Sequence, residues 1–151
     1  MLTTPKGIRL HNPLNLMRTA PRQDWAGAVA DSALEDGREE QFITDFWGLR
    51  AAAIVLVRDE EVHGRFSCEA IFTSFAPPVE NDTGAYIRNM ADGLGVKPDD
   101  HLNLRDPATM LKLLKLATRQ EDGEQPYPDE LINEAIGAAL KSVPPAQPTS
   151  T

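Results

Sequence analysis

The stretch "DPATMLKLLKLATRQEDG", residues 106–123, constrains the fold of this chain most. Asp106 offers a side-chain acceptor to the free N–H groups of a helix start, and Pro107 suits the first turn, where its missing N–H costs nothing. Met110, Leu111, Leu113, Leu114 and Ala117 then recur at helical spacing with lysines between them, and carry the helix to about Gln120. A helix with one apolar stripe has to bury it, so the rest of the chain must supply matching faces.

Four further segments supply them. A helix from about Phe46 to Glu60, capped by Asp45 and ended by His63-Gly64, places Leu49, Ala52, Ala53, Leu56 and Val57 together. Ser67 caps a short helix through Phe75, which Pro77 and Pro78 stop. The next starts at Asp82 or Thr83 and repeats Tyr86, Ile87, Met90 and Leu94 until Gly95. The last, from about Pro128 to Lys141, uses Leu131, Ile132, Ala135, Ile136 and Ala139.

The remainder is irregular. "QFITDF" alternates enough for one short strand, whose Phe42 and Phe46 face one way. Residues 1–40 are rich in Pro, Asn, Gly and charge, with turns expected at Asn12-Pro13 and at Trp25-Ala26-Gly27. Residues 143–151 read as a disordered Pro/Ser/Thr tail. The expected fold is mainly α: a compact domain over residues 1–142, of about five helices with at most a short β element, and residues 1–40 packed on it as an arm.

Composition narrows the function. With 41% hydrophobic residues in 151, the chain has the material for a real core. Fifteen Lys+Arg against 23 Asp+Glu leave a net charge of -8, which opposes binding to nucleic acid or an anionic membrane. The charge is uneven, because Lys6, Arg9, Arg18 and Arg22 precede the first acid, Asp24. Cys68 is the only cysteine, so the fold does not depend on an intrachain disulfide and suits a cytoplasm. The start lacks an apolar signal core, and the longest apolar run, Ala51 to Val57, is too short to span a bilayer.

Metal chemistry finds little support. His11, His63 and His101 are far apart in sequence, without an HExxH or a cysteine pair, and read as solvated or hydrogen-bonded side chains. "DSALEDGREEQF" does not place its oxygens as a calcium loop does. Cys68 reads as a small core residue, and Gly93-Leu94-Gly95 as a helix terminus. No metal or organic cofactor is implied.

Carboxylates carry more. Glycoside cleavage needs an acid that stays protonated beside the leaving oxygen, and burial is the usual means of keeping it so. Glu121 follows the apolar helix directly before Gly123, where the helix dipole disfavours negative charge, with Gln125 and Tyr127 close enough to line a sugar cleft. Its plain alternative is a charged residue of a last helical turn. Glu80, after Pro77-Pro78, is a second choice for an acid, and reads equally as a residue attracted to a helix start.

Six segments, "KGIRLHNPLNL", "DWAGA", "QFITDFWGLRAAAIVL", "FAPPVENDTGAYI", "LGVKPDDHLNL" and "LATRQEDGEQPY", resemble in order a family of small tailed-phage and prophage proteins. Its members begin with a Gly-Ile-Arg-Asn-Asn-Asn-Pro-like motif and are commonly labelled virion structural proteins. The resemblance spans about residues 6–140. That family in turn resembles lysozyme-like peptidoglycan hydrolases, in which a Glu-Ser-Gly-like helix end supplies the acid and an asparagine-rich loop and a Trp-x-Gly follow. Here the loop and Trp25-Ala26-Gly27 come first and Glu121-Asp122-Gly123 comes late, an order that suggests a circular permutation.

The resemblance implies a lysozyme-like domain with Glu121 as general acid and Asn12, Asn15 and Trp25 near the cleft, joined by Gln125 and Tyr127. It implies a muramidase or lytic transglycosylase that cleaves the glycan strand of peptidoglycan. Asp122, Glu124 and Glu80 are the available second carboxylates. The alternative is a non-catalytic virion structural or assembly protein on the same scaffold, favoured by Leu10, His11 and Leu14, which replace two asparagines and a glycine of the motif. The implied partners are glycan strands and other virion proteins, with synthesis in a bacterial host cytoplasm and association with a virion or delivery to the envelope.

Overall fold

The structure is a computed structural model and describes residues 4–30, 34, 38–75 and 83–145. The protein is mainly α. Among the described residues five longer helices are present: α2 (Asp45–His63), α3 (Cys68–Phe75), α4 (Thr83–Leu94), α5 (Pro107–Asp122) and α6 (Asp129–Ser142). A short α1 (Lys6–Arg9) precedes them inside the arm, where sequence periodicity gave no helix. Four residues cannot show a 3.6-residue repeat.

Helix α2 is buried over more than the expected face, since Gly48, Ala51 and Ile54 are covered as well as Leu49, Ala52, Ala53, Leu56 and Val57. It therefore runs through the middle of the molecule, with α6 as its most extensive neighbour. Small alanines allow that close helix pairing. Helix α4 packs between α3 and α5, and α5 also meets α1, α2 and α6. Leu113, Leu114, Ile132 and Ile136 are fully covered where these helices face one another.

Local signals account for several ends. The Asp106 side chain accepts from the Thr109 amide, and Gly123 takes the left-handed conformation (φ 78°) that closes α5. Ser67 Oγ accepts from the Ala70 amide at 3.2 Å and starts α3. Asp45 does not cap α2: Thr44 occupies the cap position, and Asp45 is the first helical residue. Its carboxylate instead meets His11 Nδ1 at 2.6 Å, a longer-range partner that sequence spacing cannot reveal. Pro77, Pro78, Glu80 and Asp82 lie outside the described residues, as does the tail from residue 146 onward.

The expected strand is reduced to isolated antiparallel bridges among the described residues, Met17 with Glu39 and Ala28 with Phe42. Side chains replace the missing ladder. Asn12, with no exposed surface, donates to the Leu16 and Glu40 carbonyls (3.1 and 2.8 Å) and accepts from the Leu16 amide (2.9 Å). Glu40, equally buried, is neutralised by Arg22 at 2.7 Å, and Arg22 also donates to the Val29 carbonyl. A buried carboxylate is tolerated only with such a partner.

The arm is seated on the helices by close approach. At Gly48 of α2 a Cβ would collide with the His11 carbonyl, so only glycine lets the arm cross there. Leu10 and Leu14, two departures from the family motif, are 1% and 3% exposed and anchor the arm in the core. His11 Nδ1 meets Asp45 Oδ1 at 2.6 Å. All three attach the arm to the helices.

Candidate functional site

Glu121 and Asp122 are the last two residues of α5, and helical geometry sends successive side chains in different directions. Glu121 turns toward α4. There the Tyr86 hydroxyl, on a side chain only 5% exposed, donates to Glu121 Oε1 at 2.9 Å. The Tyr86 ring is fixed by stacking on Phe72, with centroids 5.0 Å apart. Asp122 turns toward the arm, where Asn15 Nδ2 lies 3.4 Å from its Oδ1.

Asn15 reaches this place because the loop after α1 folds back on itself. Its own φ is 53°, an uncommon left-handed conformation that asparagine tolerates better than most residues. Gly7 of α1 completes the wall. A Cβ at Gly7 would overlap Asp122 Oδ1 and crowd Asn15 Oδ1, so the arm's backbone lies directly on the carboxyl group.

Burial dominates the electrostatics. Desolvation pushes the Glu121 carboxyl above its ordinary range, against the opposing effect of hydrogen bonds from Tyr86 and Asn15. Asp122 is pushed up to about 7, chiefly by desolvation, with the Asn15 bond opposing and the charges of Glu121 and Glu124 reinforcing. Burial likewise raises the Tyr86 and Tyr127 hydroxyls, which remain neutral. Two adjacent carboxyls thus hold protons more tightly than free ones, the property required of a general acid near neutrality.

Of the residues expected to surround Glu121, the structure brings in Asn15 and leaves others apart. Asn12 is inside the arm, with its amide committed to backbone groups. Trp25 packs edge-on against Phe42, beneath the Arg58 guanidinium, and lines a separate recess of about 270 Å³ with Arg22, Gln23 and Val29. Gln125 spends its amide on the backbone of Tyr127, donating at 3.1 Å and accepting at 2.6 Å. Tyr127 is 4% exposed and its hydroxyl has no hydrogen-bond partner. Burial pushes the Cys68 thiol up to about 11, which leaves it a poor nucleophile.

Sequence reasoning read Tyr86 only as part of an apolar helix face. Its spacing with Met90 was visible, but the reach of its hydroxyl to a glutamate 35 positions away was not. Gly7 belonged to the quoted motif without a role in the site.

No family model matches the chain. Over 125 residues it is 32% identical to Protein P5 of Pseudoalteromonas phage PM2, a match spanning 81% of this chain and 74% of that protein. The chain belongs to the family of this phage protein. Family membership places it among bacteriophage proteins, and no described helix is long and apolar enough to cross a membrane.

Proposed function

We propose that this phage protein is a virion-associated enzyme that cleaves the glycan strand of peptidoglycan, with Glu121 as general acid. The observation that carries the reading is the pair of elevated carboxyls at the end of α5, met by Asn15 from the arm and Tyr86 from α4. An asparagine of the early loop beside the late Glu121-Asp122 pair is what a circularly permuted lysozyme-like site would need, and it supports the reading.

In this mechanism Glu121 gives its proton to the glycosidic oxygen as the bond to the anomeric carbon breaks. Tyr86 orients Glu121 and stabilises the carboxylate left behind, since its hydroxyl donates to Oε1. Asn15, whose amide bonds to the neighbouring Asp122, also favours the Glu121 carboxylate. The oxocarbenium-like centre is then resolved by water or by a hydroxyl of the sugar itself, whose proton passes to the Glu121 carboxylate and restores the acid, the second route needing no further carboxylate. Glycan strands are the substrate, and carriage by a particle supplies the delivery that a net charge of -8 does not.

A non-catalytic virion component is the second reading, and a specific observation favours it. Asn12, Gln125 and Tyr127 are committed to internal contacts or buried, which leaves fewer groups for a sugar. Zymography on purified peptidoglycan separates the two. Clearing by the wild-type chain that disappears in Glu121→Gln, with unchanged helical circular dichroism, supports the enzyme. Absence of clearing together with stable co-purification with particles supports the structural component.

A further inference from the structure

Asp122 is the member of the carboxyl pair that the proposed chemistry does not use. It is 9% exposed, its Oδ2 has no hydrogen-bond partner, and its Oδ1 has only the long Asn15 contact. It also terminates α5, where unpaired carbonyls give the helix end a negative partial charge. A charged carboxylate is poorly accommodated here, whereas a neutral acid fits beneath Gly7.

The surrounding ionisable groups are mostly acidic. Glu121 belongs to α5, Glu124 and Tyr127 to the following loop, and Tyr86 to α4; Asp45, at the start of α2, acts on Tyr127. Of the basic side chains on the two helices that meet here, Lys6 of α1 is bonded to Glu39 at 2.7 Å, and Arg9 of α1 and Arg119 of α5 stand in their helices' last turns; His11, just after α1, meets Asp45 at 2.6 Å.

We propose that Asp122 is a protonation-controlled latch: while neutral it seats the arm carrying Asn15 against the end of α5, and on ionising it releases that arm from the Glu121 site. The proposal depends on the catalytic reading only in treating Glu121 as the group so regulated. In the closed arm the carboxyl is desolvated; once the arm lifts, water reaches it and the group returns to ordinary carboxylate behaviour. Opening then becomes easier as pH rises from about 4 to about 7, by about tenfold per pH unit, and levels off above that.

Hydrogen exchange on the full chain tests this without reference to activity. The reporter is the Phe42 amide, which bonds to the Leu10 carbonyl and so ties the arm to the segment before α2, with the amides of α6 monitoring global unfolding. After correction for intrinsic exchange, wild-type arm protection should fall about 50-fold between pH 5 and pH 7 while staying below that of α6, whose own protection falls in step because global unfolding also frees Asp122. Asp122→Asn should remove the fall. A flat wild-type profile, or the same fall in the variant, would overturn the latch. Carboxyl-carbon NMR of the wild type keeps the question answerable if the variant fails to fold: titration of Asp122 near neutrality agrees, and titration below pH 5 refutes. An inactive protein with a working latch would sink the catalytic reading alone.

Discussion

The arm and the end of α5 both bury polar groups, yet they treat them in opposite ways. In the arm, Asn12 makes three hydrogen bonds and Glu40 is met by Arg22, so both buried groups are matched. At the end of α5, Asp122 Oδ2, Thr118 Oγ1 and Tyr127 Oη are buried without a partner. Unmatched buried polar atoms cost stability, and their gathering at the end of α5 puts that cost beside the proposed site.

Breaking the matched region should give the largest loss. Arg22→Met leaves the Glu40 carboxylate buried and alone, and should destabilise the protein by about 3–5 kcal/mol in thermal or denaturant unfolding. A loss below about 1 kcal/mol would mean that the pair is not integral to the arm. Gly48→Ala attacks the same region by shape. Because the added methyl meets the fixed His11 carbonyl, a loss of about 1–3 kcal/mol is expected despite the better helix propensity of alanine.

The unmatched region should respond with the reverse sign. The Asp122 carboxyl lies at about 7 in the fold against 3.8 in a free chain, so its contribution is neutral below pH 4 and becomes unfavourable between pH 4 and pH 7. Asp122→Asn should therefore match the wild type at low pH and be more stable by about 1 kcal/mol or more at pH 8. Equal stability of the two proteins at both pH values would erase the contrast with Glu40. Tyr86→Phe should have the smallest effect on stability, but it removes a hydrogen bond that favours the Glu121 carboxylate. The Glu121 titration should move upward, and with it the basic limb of any activity profile; a downward movement would contradict the geometry.

The same contrast explains how much the sequence revealed. Helices α2 to α6 were legible because repeated apolar positions, Asp106-Pro107 and the glycines at 64 and 95 are local signals. Glu121 was legible because a carboxylate at the end of an apolar helix is also local. The arm was not: Asn12 replaces strand pairing by bonds to residues 4 and 28 positions away, and His11 takes Asp45 from its expected cap role. Tyr86 was hidden for the opposite reason, since its ring satisfies the helical pattern while its hydroxyl acts elsewhere. Leu10 and Leu14 stood out as departures from the motif, and only packing shows that they anchor the arm.

The central claim, that the end of α5 is where the chemistry happens, is tested most directly by the release of soluble muropeptides from purified peptidoglycan. Wild type and Glu121→Gln should be compared at equal concentration after matched circular dichroism. Loss of the general acid should lower the rate by about 100-fold or more. Release at the wild-type rate by Glu121→Gln would contradict the account.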